Sequence, residues 1–348
     1  MTATRSFLLV LAALLAGCGG SMSSSPQAPT STTSGSSKVL VGAGSTFVYP
    51  LVSQWTGDYS KRAGVTVTYG AIGSGGGIAA IADRTVDFGA SDAPLTHDQL
   101  IACKDCVELP WALGATAVAY NLKGAPQHLR LSGPVIAEIF LGTVTTWDDP
   151  AIIALNPGVS LPATRVTPVF RSDSSGTTFN FTDCLSHVSA QWKAKVGTST
   201  QPQFRAGLGA KGSAGVSGTV SQTDGAITYV DVAYAQASHF SYAAVQNAAK
   251  EFVLPNIAST KAAAAAATAP KPNTPISIVD PPASAARAYP IATFTYVIIP
   301  KHSAKTATLK AFLTYAITTG QQFGPKLLFA PLPAKLVASD QQTVLALS

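Results

Sequence analysis

The strongest constraint on this chain is a unit that recurs from Lys38 onward: a short apolar strand, a turn of glycine and hydroxyl residues, then a helical stretch. Lys38–Val41 leads into Gly42-Ala43-Gly44-Ser45-Thr46-Phe47. Pro50 then suits a first helical turn, and Leu51, Trp55 and Tyr59 recur on one face. The β-branched run Val65–Tyr69 leads into Gly73-Ser74-Gly75-Gly76-Gly77, and Ile78, Ile81 and Ala82 begin a second helical face. Asp87–Ala90 leads into Ser91-Asp92-Ala93-Pro94. Val166–Phe170 leads into Arg171-Ser172-Asp173-Ser174-Ser175-Gly176-Thr177, with a helix from about Thr178 to Leu185. Strands and helices alternating in this way predict an α/β fold with largely parallel sheets. A chain of 348 residues holds about two domains of roughly 150 residues each.

The N-terminus carries an address. Ten apolar residues run from Phe7 to Ala16 behind a single basic residue, Arg5, which fits a signal-peptide core and is too short to span a bilayer. The run closes on Leu15-Ala16-Gly17-Cys18, which resembles a bacterial lipobox. Residues 1–17 therefore read as a lipoprotein signal peptide and Cys18 as the lipidated mature N-terminus. The alternative is an ordinary secretory signal with Cys18 near its cleavage site. Of the nineteen residues Gly19–Ser37, sixteen are Ser, Thr, Gly or Pro and none is charged, so 18–37 reads as a flexible tether. The expected location is extracytoplasmic, with membrane attachment through lipid alone, because no later segment reaches 18 consecutive apolar residues.

Charge and cysteine usage narrow the function classes. The net charge of +6 comes without any long Lys/Arg run, which argues against a nucleic-acid partner. The five histidines (97, 128, 187, 239, 302) are dispersed without ligand spacing, so no metal site is expected. Cys103-Lys104-Asp105-Cys106 suits a small loop disulfide in an oxidising compartment. Half a zinc site or a thioredoxin-type motif is the alternative, with Cys184 as a buried free thiol.

The turns hold the chemistry. Helix N-termini leave backbone N–H groups unpaired and partly positive, glycine admits close approach, and hydroxyls add donors. One such turn is better explained as a helix cap, whereas three of them with an arginine point to an anion site. Asp92 at a strand end looks self-defeating in such a site unless the anion carries its own proton. Protonated phosphate offers an O–H to a carboxylate, whereas sulfate has none and would leave that carboxylate buried and repelling. Asp173, two residues from Arg171, would hold the guanidinium fork. The plain alternative makes each aspartate a helix N-cap.

The segments Gly42–Phe47, Gly70–Gly77, Val86–Leu95 and Arg171–Thr177 resemble signature segments of the PstS family, phosphate-binding proteins of the bacterial phosphate ABC importer. Ile139–Asp149, Gly207–Gly212 and Gly225–Ala235 extend the similarity from Gly42 to about Pro333. The resemblance implies a two-lobed periplasmic-binding-protein fold of type II, with two mixed sheets flanked by helices and joined by two crossing strands. The crossing segments would be about Leu113–Asn121 and Ile291–Ile299. One lobe would combine 38–115 with 295–348, and 116–294 would form the other. The resemblance further implies phosphate contacts at Thr46, Phe47, Ser74, Asp92, Arg171, Ser175, Gly176 and Thr177, with Ser45 and Asp173 in support. It implies a monomeric receptor without turnover or cofactor, delivering inorganic phosphate to membrane permease and ATPase subunits. Two departures stand out: Val48-Tyr49-Pro50 follows Phe47 where the family often has proline directly, and Ser174 stands where glycine is common.

Other readings are weaker. Gly207-Leu208-Gly209-Ala210-Lys211-Gly212 matches a dinucleotide fingerprint, but without a preceding apolar strand it reads as a loop. A phosphomonoesterase using Ser74 or Ser175 lacks a base or metal cluster. A lipid-anchored sensory protein without transport is a third class. The tract Ser259–Pro275, with six alanines at 262–267, reads as a surface loop, with an alanine helix of one or two turns as the alternative.

Overall fold

The computed structural model describes residues 38–268, 271–274 and 276–348. The signal peptide, Cys18 and the tether therefore lie outside the described residues.

The first stretch alternates as β1 (Val39–Gly44), α1 (Tyr49–Ala63), β2 (Thr66–Ala71), α2 (Ser74–Ala82), β3 (Phe88–Ser91) and α3 (His97–Cys103), then β4 (Cys106–Asn121). Next come β5 (Arg130–Leu131), α4 (Gly133–Leu141), α5 (Pro150–Leu155), β6 (Thr167–Arg171), α6 (Gly176–Val188) and α7 (Ala190–Lys195). They are followed by β7 (Leu208–Ala210), α8 (Gly212–Ser221), β8 (Ala226–Asp231), α9 (Val232–Ala237), β9 (Ser241–Tyr242), β10 (Ala244–Gln246) and β11 (Phe252–Val253). The chain closes with α10 (Ile257–Ala266), β12 (Ala292–Pro300), α11 (Thr306–Ile317) and α12 (Ala334–Leu345).

Two mixed sheets share one strand. In the first, β1 runs parallel to β2 and β3, and β12 pairs antiparallel with β3 and β4. In the second, β6 runs parallel to β7 and β8, and β8 pairs antiparallel with β4. The sixteen-residue β4 serves both: Cys106–Ala115 pairs with β12, and Thr116–Asn121 pairs with β8. The handover falls between Ala115 and Thr116, where the Thr116 N–H donates to Ile291 O at 2.9 Å. β5, β10 and β11 form a separate small sheet.

Each sheet carries its own apolar core, as burial of aromatic side chains demands. The first core packs Trp55 against Trp111 at 5.1 Å between ring centres, with Phe88 and Phe312 alongside. The second stacks Phe181 on Tyr229 at 4.2 Å, beside Phe140, Trp147 and Trp192. Within the sequence span expected to form the second lobe, α10 departs: its Ala263 and Ala264 belong to the first core.

Two readings of the sequence are corrected. The Gly207–Gly212 segment is not a loop, because Leu208–Ala210 adds an edge strand to β6 and α8 begins at Gly212. Three residues with an exposed Leu208 carry too little apolar pattern to announce a strand. The alanine tract is helical in its first half: residues 259–266 belong to the ten-residue α10, as the alternative of a short alanine helix has it, and the tract's described residues after Ala266 are not helical. Alanine has the highest intrinsic helix propensity, Asn256 caps the Ser259 N–H at 3.0 Å, and the Ser259 hydroxyl returns a bond to the Asn256 N–H. The Sγ atoms of Cys103 and Cys106 are bonded, and Cys184 is a buried free thiol.

Candidate functional site

Four helices begin at one place between the two sheets. α1 and α2 arrive from the first sheet, and α6 and α8 from the second. Parallel β-α units put successive helix starts at the same sheet edge, so the unpaired N–H groups of several helices converge there.

On the first side, Ser45 does two jobs. Its hydroxyl accepts the Phe47 N–H at 3.0 Å, which fixes the turn leading into α1, and donates to Asp92 Oδ1 at 2.5 Å. The Phe47 ring is buried edge-on against Phe329, 5.8 Å between centres. It also rests on β4 at Gly114, where a Cβ would come within 2.7 Å of the ring. Ser74 Oγ accepts the Asp92 N–H at 3.2 Å and the Gly176 N–H at 3.1 Å, so one hydroxyl ties the two sides together and keeps its own proton to donate.

On the second side, Arg171 ends β6 with a buried side chain. Its Nε donates to Asp173 Oδ1 at 2.7 Å and its Nη2 to Asp173 Oδ2 at 2.5 Å. This is a two-point fork that leaves Nη1 without a hydrogen bond among the described residues. Burial opposes the charge on Asp173, but the Arg171 fork and the Gly212 N–H, which donates to Asp173 Oδ1, outweigh it and hold the carboxyl below its ordinary range. Ser175, not Asp173, is the cap of α6: its Oγ accepts the Thr178 N–H at 3.1 Å. Asp92 caps no helix either, since Thr96 caps α3. Ser174 adopts an ordinary negative-φ backbone, so the glycine common at this position in similar sequences is not required. Its carbonyl accepts the Gly75 N–H at 3.1 Å.

Asp92 is the unusual group. It is 1% exposed. Burial pushes its carboxyl up to about 6, against the opposing pull of the Ser45 hydroxyl and the Arg171 guanidinium. The nearby Thr177 hydroxyl also favours the ionised form, although Thr177 Oγ1 is sealed from solvent and makes no hydrogen bond of normal geometry. A buried acceptor and an orphaned hydroxyl in one donor-lined space are costly unless a ligand completes them.

The two sides are in contact. Thr46 Oγ1 shares a 2.8 Å hydrogen bond with Ser213 Oγ and accepts the Ser213 N–H at 3.2 Å. Asn180 Nδ2 donates to Asp92 O at 3.0 Å. Gly176 packs so tightly that a Cβ there would lie 2.6 Å from Asp92 N and 2.7 Å from Ala93 N.

The structure thus brings together every residue nominated for the anion site: Ser45, Thr46, Phe47, Ser74, Asp92, Arg171, Asp173, Ser175, Gly176 and Thr177. It adds Gly212 and Ser213 at the start of α8, Asn180 and Tyr229, whose hydroxyl accepts the Arg171 N–H at 3.1 Å. The glycine-rich Gly207–Gly212 segment was the available signal for α8; Asn180 and Tyr229 left none. The arrangement suits a small, dehydrated oxyanion held by neutral dipoles and one guanidinium, with a carboxylate placed to accept a hydrogen bond from it.

Comparison with known proteins agrees with this geometry. A model of the PBP superfamily domain matches residues 23–319. The phosphate-binding protein PstS of Xylella fastidiosa is 42% identical over 324 residues, covering 92% of this chain and 88% of its own. That of Haemophilus influenzae is 37% identical over 304 residues, covering 86% of this chain and 90% of its own. Among solved structures, a high-affinity periplasmic phosphate-binding protein with bound phosphate superposes with a TM-score of 0.70. At 22% identity it covers 87% of this chain and 93% of its own and supports the fold. The fold, the convergent helix starts and relatives at this identity lead to one conclusion: the chain belongs to the PstS family of phosphate-binding proteins.

Proposed function

We propose that this protein is an extracytoplasmic receptor for inorganic phosphate that delivers its ligand to an ABC-type import permease, without chemical turnover. The family is one of solute-binding receptors rather than enzymes, and its relatives carry phosphate in their names. The observation that carries the reading is the buried Asp92 carboxylate facing a ring of donors. Phosphate would be held by Thr46, Phe47, Ser74, Asp92, Arg171, Ser175, Gly176 and Thr177. Ser45 would orient Asp92, and Asp173 would orient Arg171. The first-sheet and second-sheet sides act as lobes, approximately 38–115 with 295–348 and 116–294, with α10 carried on the first. In the same reading Cys18 bears a lipid anchor after removal of 1–17, and a monomer docks on the permease.

The reading makes a pH-dependent demand. Sulfate carries no proton near neutrality, so it meets a repelling carboxylate whenever Asp92 is ionised. Asp92 becomes neutral as pH falls through about 6, and a neutral carboxyl donates to sulfate instead of repelling it. Titration calorimetry of sulfate from pH 8 to pH 5 should therefore show affinity rising as pH falls through this window. A flat sulfate profile, with phosphate still bound, would remove Asp92 from the selectivity role.

Lobe closure supplies a second test. The Gly176→Ala methyl would intrude on Asp92 and Ala93 across the cleft. Overpacking of this kind costs about 1–3 kcal/mol, so phosphate binding should weaken by roughly 5- to 150-fold. Calorimetric affinity equal to wild type would contradict a closed complex of this geometry.

A further inference from the structure

A second cavity is lined by none of the residues assigned to the anion site. It measures about 700 Å³, within the roughly 300–1,000 Å³ typical of small-ligand sites. Its buried surface comes from Leu113 of β4 and Phe294 of β12, with Ala264 of α10 on one wall and Leu332, just ahead of α12, on the other. The space exists because the facing surface of α10 is alanine: no longer side chain reaches across to the α12 side. The lining contains no acidic residue. Its charged members are Lys261 of α10 and Lys335 of α12, both exposed and neither in an ion pair among the described residues.

An apolar chamber with cations at its rim selects for a molecule with a greasy body and one negative end. Lysine stems cover apolar surface while their ammonium groups stay in water, which suits them to pair with a headgroup at the mouth. We propose that this cavity binds an aliphatic monocarboxylate, its chain against Leu113, Phe294 and Ala264 and its carboxylate between Lys261 and Lys335. The proposal is independent of the anion site, which shares none of these residues.

The test is calorimetric titration of the whole secreted chain, in detergent-free buffer, with hexanoate, octanoate and decanoate below their aggregation concentrations. Burying one methylene contributes about 0.8 kcal/mol, so affinity should climb about fourfold per carbon. The double charge reversal Lys261→Glu with Lys335→Glu should weaken decanoate at least tenfold and leave decanol unchanged. Ala265→Trp, at an exposed position of the same wall, should abolish binding by filling the space while phosphate titration stays as in wild type. The proposal is overturned if no carboxylate binds saturably, if decylamine or decanol binds as tightly as decanoate, or if the charge reversal has no effect.

Discussion

Replacing Arg171 with alanine is expected to abolish high-affinity phosphate binding, weakening it by roughly 30- to 4,000-fold. The range follows from the cost of truncating one partner of a buried, hydrogen-bonded charge pair, about 2–5 kcal/mol. Two losses add. The ligand loses the only guanidinium in the ring, with its free Nη1, and Asp173 loses the fork that holds its charge in place. Asp173, left with the Gly212 N–H but no counter-charge, then repels the anion. Arg171→Lys should recover little, because a single ammonium cannot reproduce the two-point contact. Ser45→Ala removes a turn hydrogen bond and the orientation of Asp92 but no positive charge, so its loss should be much smaller. Calorimetry on the three variants decides the matter, and equal losses in Arg171→Ala and Ser45→Ala would contradict the role given to Arg171.

Asp92→Asn should act on choice rather than on strength. An amide at this position no longer repels an unprotonated oxyanion, and its NH2 can donate to one. Sites built around a hydrogen bond to a ligand O–H reject analogues lacking it by about 10⁴–10⁵. The substitution should erase most of that margin, chiefly by letting sulfate in. Competition titrations of sulfate against bound phosphate measure it directly. A variant that still excludes sulfate as wild type does would show that discrimination comes from elsewhere in the ring.

Much of the site was readable in advance because its logic is local. Strand, small turn and helix start are contiguous in sequence, and Arg171 lies two residues from Asp173, so both the donors and the fork appear in single segments. What escaped was long-range. Asn180 reaches Asp92 from the second turn of α6, and Tyr229 reaches Arg171 from β8; neither residue type announces such a contact. The start of α8 shows as glycine spacing, but no apolar strand announces itself ahead of it, because β7 is only three residues long. The sequence leaves α10 open between loop and short helix for a different reason. An alanine run has no polar–apolar alternation, so nothing marks a buried face, and its course is set by the Asn256 cap and by packing on β4 and β12. The double duty of β4 was equally silent, since all but the last of its sixteen residues are buried and no turn residue separates its two pairings.

That shared strand has a mechanical consequence. If the two sheets move as the proposed lobes, the handover has no loop to absorb the motion, and a change of angle falls on backbone torsion around Ala115 and Thr116, just beyond Gly114, against which the Phe47 ring rests. In that case the ligand loop sits beside the pivot, like a finger on a lever close to the fulcrum. Substitutions that stiffen or loosen those few peptides should retune how readily the jaws shut while leaving every donor to the anion in place.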